Sequence, residues 1–240
     1  MLIRVLVEPS ITPFYHCWHT RLGPVPPDTL TTLSAAEQAR HARFLAAEPA
    51  QKYAAAHGFL RAVLGHYTGQ SPVDLELGVD ARQKPILVSD QPLWFNLSYR
   101  AEWALLAVSN QGEVGVDLEE VQPVAGAAAL VSHLFSPSER TVLAAAKRSA
   151  WRALFYTIWT RKEAWAKLSG MGLARPFAAF SVARRHGAAV AWPVPGPGQL
   201  QGFTVDAGHV GALACAAETP VRWQHLDFLT RLPVTVLSLP

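Results

Sequence analysis

Helix-forming stretches give way to runs of short extended segments, and along these 240 residues that order occurs twice. A chain ordered in this way builds sheets covered by helices, an α+β architecture. In the first round, Ser34 with Glu37 three residues later has the form of a capping box, opening a helix to about residue 47. A second helix covers 51–67, where Tyr53, Ala56, Leu60, Val63, Leu64 and Tyr67 recur at spacings of three and four and make one apolar face. Gly69 ends it. DLELGV, PILV, LWFNLS and WALLAVS follow as extended runs, and VGVDLE after SNQGE has the form of a hairpin partner. In the second round, helices span about 125–170. Ser136-Pro137-Ser138-Glu139 opens one of them, and Gly170 and Gly172 stop the last. AAFSVARR, AAVAW, GFTVDAG and VGALACAAE are expected strands. MLIRVLV is expected to be the first strand, and 11–33, with several Pro and Thr, a loop. The reading is two similar α+β halves, 1–120 and 121–240.

Composition narrows the function classes. The chain is 50% hydrophobic and 16% charged, as a globular protein with a sizeable core requires. The net charge is +3, and Lys and Arg form no dense stripe, which argues against a nucleic-acid binder. Two cysteines are too few for a disulfide framework, so a reducing compartment, the cytoplasm, is expected. No run of about 18 apolar residues predicts a membrane span.

The chemistry-bearing residues sit on one strand and one helix. In VGVDLEE, Asp117 and Glu119 are two apart and share a face, ~6.8 Å apart along the strand, while Val116 and Leu118 point the other way. Two readings stand: the strand frays into a polar loop, or the carboxylates face a positive charge. In FYTIWTRKEAWAKLSGMGL, Glu163 and Lys167 lie one turn apart among Phe155, Trp159 and Trp165. Here a solvated i,i+4 ion pair competes with a built site. Three carboxylates together would make an oxygen-only set, suited to Mg²⁺ shared with a substrate phosphate and not to Zn²⁺.

These motifs resemble the Sfp-type 4′-phosphopantetheinyl transferase family. Gly115-Val116-Asp117-Leu118-Glu119 is similar to its G-[IV]-D-[IV]-E strand. Trp159-Thr160-Arg161-Lys162-Glu163-Ala164-Trp165-Ala166-Lys167 is similar to its W-[ST]-x-K-E-[SA]-x-x-K helix. Weaker elements are Lys84-Pro85, Phe95–Ser98 and the helix start Phe135–Glu139; the likeness runs from about residue 34 to 183. It implies a pseudo-twofold pair of α+β halves with the cofactor in the cleft between them. It implies transfer of the phosphopantetheine arm of coenzyme A to a serine of an apo acyl or peptidyl carrier protein, releasing 3′,5′-ADP. Asp117, Glu119 and Glu163 would be the Mg²⁺ ligands, Glu163 the base and Lys167 a contact to the pyrophosphate. Lys84 and Pro85 would meet the adenine end, and Ser98 and Tyr99 would lie at the coenzyme A phosphates. Arg40 and Lys52 would lie at the 3′-phosphate, with solvated helix positions as the other reading of those two. A monomer without nucleic-acid or membrane partners is expected, with residues 120–135 as the carrier-docking segment.

The chain departs from the pattern in two places. Tyr99 stands where many relatives have His, and Glu37 is acidic where some are basic. A phenol carries no positive charge near neutral pH, so weakened coenzyme A binding is expected. The alternative function is a catalytically weakened relative that binds coenzyme A or carrier protein without turnover. His16-Cys17-Trp18-His19 holds three potential ligands, closely packed and without a second pair, and reads as structural or surface. The eight tryptophans are expected mainly in the core, and an exposed Trp165 could help contact a carrier.

Overall fold

The computed structural model describes residues 13–26, 28–170, 176–217 and 221–228, and the backbone of 237–238. The expected strand MLIRVLV lies outside the described residues. The fold is α+β, and its elements repeat. The first series is β1 (Tyr15–Arg21), α1 (Thr29–Thr32), α2 (Ala35–His41), α3 (Ala47–Thr68), the small hairpin β2 (Leu77–Val79) and β3 (Pro85–Leu87), then β4 (Trp94–Arg100) and β5 (Trp103–Ser109). The second is β6 (Val114–Glu120), α4 (Ala127–Leu134), α5 (Pro137–Ala144), α6 (Arg148–Leu168), the small hairpin β7 (Arg184–His186) and β8 (Ala189–Ala191), then β9 (Gln199–Asp206) and β10 (His209–Cys215). In each series the opening strand pairs antiparallel with the closing one, which pairs with the strand before it. Two late strands, β11 (Gln224–Asp227) and β12 (Leu237–Ser238), extend the two sheets to the orders β11-β1-β5-β4 and β12-β9-β10-β6. We propose that the halves divide in the turn 110–113, because β6 opens the second series.

Period-2 alternation sends each strand's side chains to two different cores. Trp18, Leu106 and Val108 pack under α3 against Phe59, Leu60, Val63 and Leu64. Val210, Ala212 and Ala214 pack under α6 with Ile158 and Ala164. The opposite faces, with Cys17, Leu105 and Ala107 from one sheet and Val116, Leu118, Phe203 and Leu213 from the other, form a third core that joins the sheets. Each such fully buried aliphatic side chain contributes about 1.5–3 kcal/mol.

The helix starts follow local chemistry. Ser34 and Ser136 each accept from the amide three residues on, and Glu37 and Glu139 reach back to the cap amide, so both capping boxes form. Gly69 and Gly170 adopt positive φ just beyond α3 and α6, as an αL stop requires.

Four expectations are corrected. Residues 15–21, expected within a loop, form β1, seated between β5 and β11. Its alternation is masked by His and Thr, whose buried side chains find polar partners instead of solvent. The helix expected to reach residue 47 stops at His41. WALLAVS and VGVDLE are not a hairpin: both edges of β5 are taken by β1 and β4, so the turn carries the chain into the other sheet. Within AAFSVARR only Arg184 and Arg185 enter a strand, preceded by a 3-10 turn at Phe177–Ala179.

Candidate active site

The GVDLE strand and the WTRKEAWAK helix lie against each other. Asp117 and Glu119 face α6, since Val116 and Leu118 point into the inter-sheet core. Gly115 allows the approach. A Cβ there would stand 2.1 Å from the Ala164 carbonyl oxygen and 2.6 Å from the Leu168 amide nitrogen. Trp159, Glu163 and Lys167 recur every four residues and form one stripe of α6. At one end, the Trp159 indole donates to Glu119 Oε1 at 3.3 Å. At the other, the Lys167 ammonium donates to Asp117 Oδ1 at 2.6 Å, the Val116 carbonyl at 3.1 Å and the Ser98 hydroxyl at 3.3 Å. Glu163 sits on the stripe between these two anchors.

Edge strands β4 and β6 are stitched by polar groups. The Ser98 hydroxyl donates to Asp117 Oδ1 at 3.3 Å, and the Asn96 side-chain oxygen accepts from the Val116 amide at 2.8 Å. Arg100, also on β4, pairs with Glu119 at 3.4 Å. Sequence reasoning missed Asn96 and the Trp159 contact; its signal was an amide side chain in the middle of the otherwise apolar run LWFNLS.

The electrostatics are those of crowded carboxylates. Burial pushes the Glu163 carboxyl up to about 7; the charges of Asp117 and Glu119 push the same way, and Lys167 opposes them. Glu119 is raised too, first by burial and then by Asp117, against Arg100. Among the described residues, Asp117 Oδ2 is buried without a hydrogen-bond partner. Hard oxygen donors, mutual repulsion and an orphaned carboxylate oxygen fit a small divalent cation such as Mg²⁺. Among the described residues, the oxygens of Asp117, Glu119 and Glu163 do not all lie within 4.8 Å of one another.

The other sequence-derived candidates lie farther out. Tyr99 projects from β4 on the side opposite Ser98; burial raises its phenol, and Arg40 acts on it electrostatically. Arg40 itself lies over the Tyr53 ring at 5.4 Å. Lys84 is buried and bonded to Glu113, to the Val114 carbonyl at 3.0 Å and to the Leu168 carbonyl at 3.5 Å. It therefore ties the β2–β3 hairpin to the start of β6 and the end of α6, with Pro85 exposed beside it. Lys52 pairs with Glu48 at 2.7 Å, one turn away on α3. Glu37 is buried against His57 and Arg61 and is not a free surface anion. Trp165 is 5% exposed and packs in the core under α6, so it offers a carrier no exposed surface. A hydrophobic indole facing β10 and the 196–198 turn gains more from burial than from solvent. No helix among the described residues is long and apolar enough to cross a membrane.

Comparison with known proteins agrees with this geometry. The sequence model of the 4′-phosphopantetheinyl transferase superfamily matches residues 113–195, which hold β6, α6 and their carboxylates. The 4′-phosphopantetheinyl transferase HetI of Nostoc sp. is 35% identical over 151 residues, 62% of this chain and 64% of that protein. A 4′-phosphopantetheinyl transferase of Bacillus subtilis is 28% identical over 193 residues, covering 80% of this chain and 84% of the relative. AcpT of Escherichia coli is 36% identical over 110 residues, 46% of this chain and 55% of the relative. The chain thus spans somewhat less than two thirds of the length of HetI. The likeness to the 4′-phosphopantetheinyl transferase superfamily thus lies over residues 113–195, the stretch that holds β6 and α6.

Proposed function

We propose that the chain transfers the 4′-phosphopantetheine arm of coenzyme A to a serine of an apo carrier protein, releasing 3′,5′-ADP. One observation carries this reading: the Trp159–Glu163–Lys167 stripe is anchored on Glu119 and Asp117, so that three carboxylates and one ammonium meet at a single seam. Asp117, Glu119 and Glu163 would hold Mg²⁺, whose contribution is to neutralise charge on the pyrophosphate oxygens. Glu163, with its proton affinity near neutrality, takes the proton from the attacking serine hydroxyl. That hydroxyl oxygen bonds to the β-phosphorus as the bond to 3′,5′-ADP breaks. Lys167 leaves its Asp117 contact to meet the departing phosphate, a point charge on a flexible stem. Ser98 and Arg100 line the same seam from β4.

The remaining assignments extend this reading. Arg40 and Tyr99, on the outer side of β4, would meet the 3′-phosphate end of coenzyme A. The Lys84–Pro85 turn would border its adenine, with the Lys84 ammonium already committed to the β6 backbone. The carrier would dock along 120–135, where α4 has no buried residue. A cavity of about 510 Å³ beside that segment is lined by Pro123, Val124 and Trp151 with Arg148 and Arg152. These two guanidiniums favour an acidic partner surface. The same reading takes the chain to act as a monomer in the cytoplasm.

A fluorescent coenzyme A incubated with apo carrier domains tests the function. Labelling that needs Mg²⁺ and disappears in Glu163→Ala supports it. Coenzyme A binding without labelling of any carrier would favour the catalytically weakened relative instead.

A further inference from the structure

Strands β1 and β11 run parallel, with Cys17 beside His225 and His19 beside Asp227. Side chains two apart share a strand face, so these four residues project to the same side of the sheet. That side is the inter-sheet core, where Phe203 contacts both imidazoles at ring-centroid distances of 5.9 and 4.9 Å. The Cys17 sulfur and one ring nitrogen from each of His19 and His225 all lie within 4.8 Å of one another. All three residues are buried. His19 Nε2 and His225 Nδ1 are 2.9 Å apart. Among the described residues, His225 Nε2 is buried with no hydrogen-bond partner.

The proposed transfer uses none of these groups. A polar cluster this deep in an apolar core costs free energy unless something satisfies it. One sulfur and two imidazoles form a borderline donor set, unlike the all-oxygen seam at Asp117, and such a set selects Zn²⁺ over Mg²⁺. Asp227 lies opposite His19 in the register of the neighbouring strand, where an orienting carboxylate belongs.

We propose that Cys17, His19 and His225 form a structural site for Zn²⁺ or a similar transition-metal ion. The site would clip β11 to β1 across 206 residues of sequence, closing a long loop that covers nearly the whole chain. Because the cluster is closed to solvent, the ion enters while the chain folds, and its binding energy becomes folding energy. The Cys17-Trp18-His19 stretch shows only half of this site in the sequence; the other half arrives 206 residues after His19.

The test is refolding of the full chain with Zn²⁺ or Co²⁺, followed by removal of loose metal with a chelator. About one tightly held ion per chain is expected. The Co²⁺ form should show a thiolate-to-cobalt charge-transfer band in the near ultraviolet and the visible bands of tetrahedral cobalt. Cys17→Ser and His225→Gln should each lose the band, whereas Asp117→Asn should retain it, because that residue belongs to the other site. Metal-loaded wild type should melt higher than chelator-treated wild type. Absence of a thiolate band and of retained metal in the folded wild-type chain would overturn the proposal without needing any variant to fold. Retention of the full band in Cys17→Ser would do so too. Neither readout depends on transfer activity, so failure here is separable from failure of the proposed function.

Discussion

Glu37 and Glu139 occupy the same place in the two halves of the chain. Each is the third residue of a helix, closes a capping box with a serine, and is buried against a cation of the long helix that follows, Arg61 at 2.6 Å and Lys162 at 2.8 Å. The repeat thus extends from topology to individual ion pairs. The two frames differ at the next position: Glu163 follows Lys162, whereas Ala62 follows Arg61.

The first pair sets an acid limit on stability. Burial pushes the Glu37 carboxyl up, but hydrogen bonds from His57, Ser34 and Arg61 outweigh it and hold the group at about 2. A depressed carboxyl stabilises the fold above its ordinary value of 4.5, and that contribution is lost as pH falls from 4.5 toward 2. Glu37→Gln should cost about 3 kcal/mol at pH 7, with the deficit shrinking through this window. Denaturant unfolding of both proteins as a function of pH measures it; a deficit independent of pH would refute the account.

The second pair has no solvent contact at all, and Lys162 also donates to the Phe180 carbonyl at 2.8 Å. Lys162→Met strands a carboxylate in a closed site and should cost about 3–5 kcal/mol. Adding Glu139→Leu removes that stranded charge, so the double variant should be more stable than Lys162→Met alone. It should still fall short of wild type, because the Val182 and Ser136 amides lose their acceptor. Urea titrations of the set check the order.

Much of this frame was legible in the sequence because its causes are local. Capping boxes at Ser34 and Ser136 follow from residues three apart, and the shared face of Asp117 and Glu119 follows from the pleat alone. What was hidden depended on distant partners. β1 looked like loop because His16, His19 and Thr20 break an apolar alternation, and only contact with Tyr67 and His225 makes those polar groups tolerable inside. β5 and β6 looked like a hairpin because sequence reveals a turn but not that both edges of β5 are already filled. The burial of Lys84 against Glu113 and two backbone carbonyls likewise appears only once the sheets are assembled.

Glu163 should leave the opposite signature in pH. Its folded-state value of about 7 lies above the ordinary 4.5, so the folded chain retains a proton that the unfolded chain has lost. Stability therefore falls as pH rises from 4.5 to 7. Glu163→Gln mimics the protonated acid, and in metal-free buffer at pH 8 it should be more stable than wild type by about 2 kcal/mol, after allowance for solvent screening. The gain should vanish below pH 4.5. Mg²⁺ should raise the melting temperature of wild type above pH 7 and leave that of the variant nearly unmoved.

Tyr99 stands beside Arg40 with its side chain partly exposed. An imidazole there adds a donor that can carry charge. Tyr99→His should lower the KM for coenzyme A about fivefold, corresponding to about 1 kcal/mol for an exposed charge contact. The chemical groups at Asp117 and Glu163 are untouched, so kcat should change little. Steady-state kinetics with a saturating apo carrier decides it; a KM equal to or above that of wild type removes Tyr99 from the binding site.

Gly115 links packing to chemistry most directly. Its backbone is not in the left-handed region, so conformational freedom is not the reason for glycine here. The reason is space: any Cβ meets the α6 backbone at Ala164 and Leu168, which cannot rotate away as a side chain would. Gly115→Ala must push the last turns of α6 off the strand by roughly 1 Å, costing about 1–3 kcal/mol. Glu163 and Lys167 ride on those turns, and a displacement of that size costs on the order of 10²-fold when reacting groups must be aligned. The loss in kcat should therefore far exceed what the unfolded fraction explains. Gly23→Ala, where a Cβ meets nothing within 4 Å among the described residues, is the control and should leave both stability and kcat nearly unchanged. If Gly115→Ala loses stability but keeps kcat in its folded fraction, the spacing between strand and helix does not set the alignment of the site.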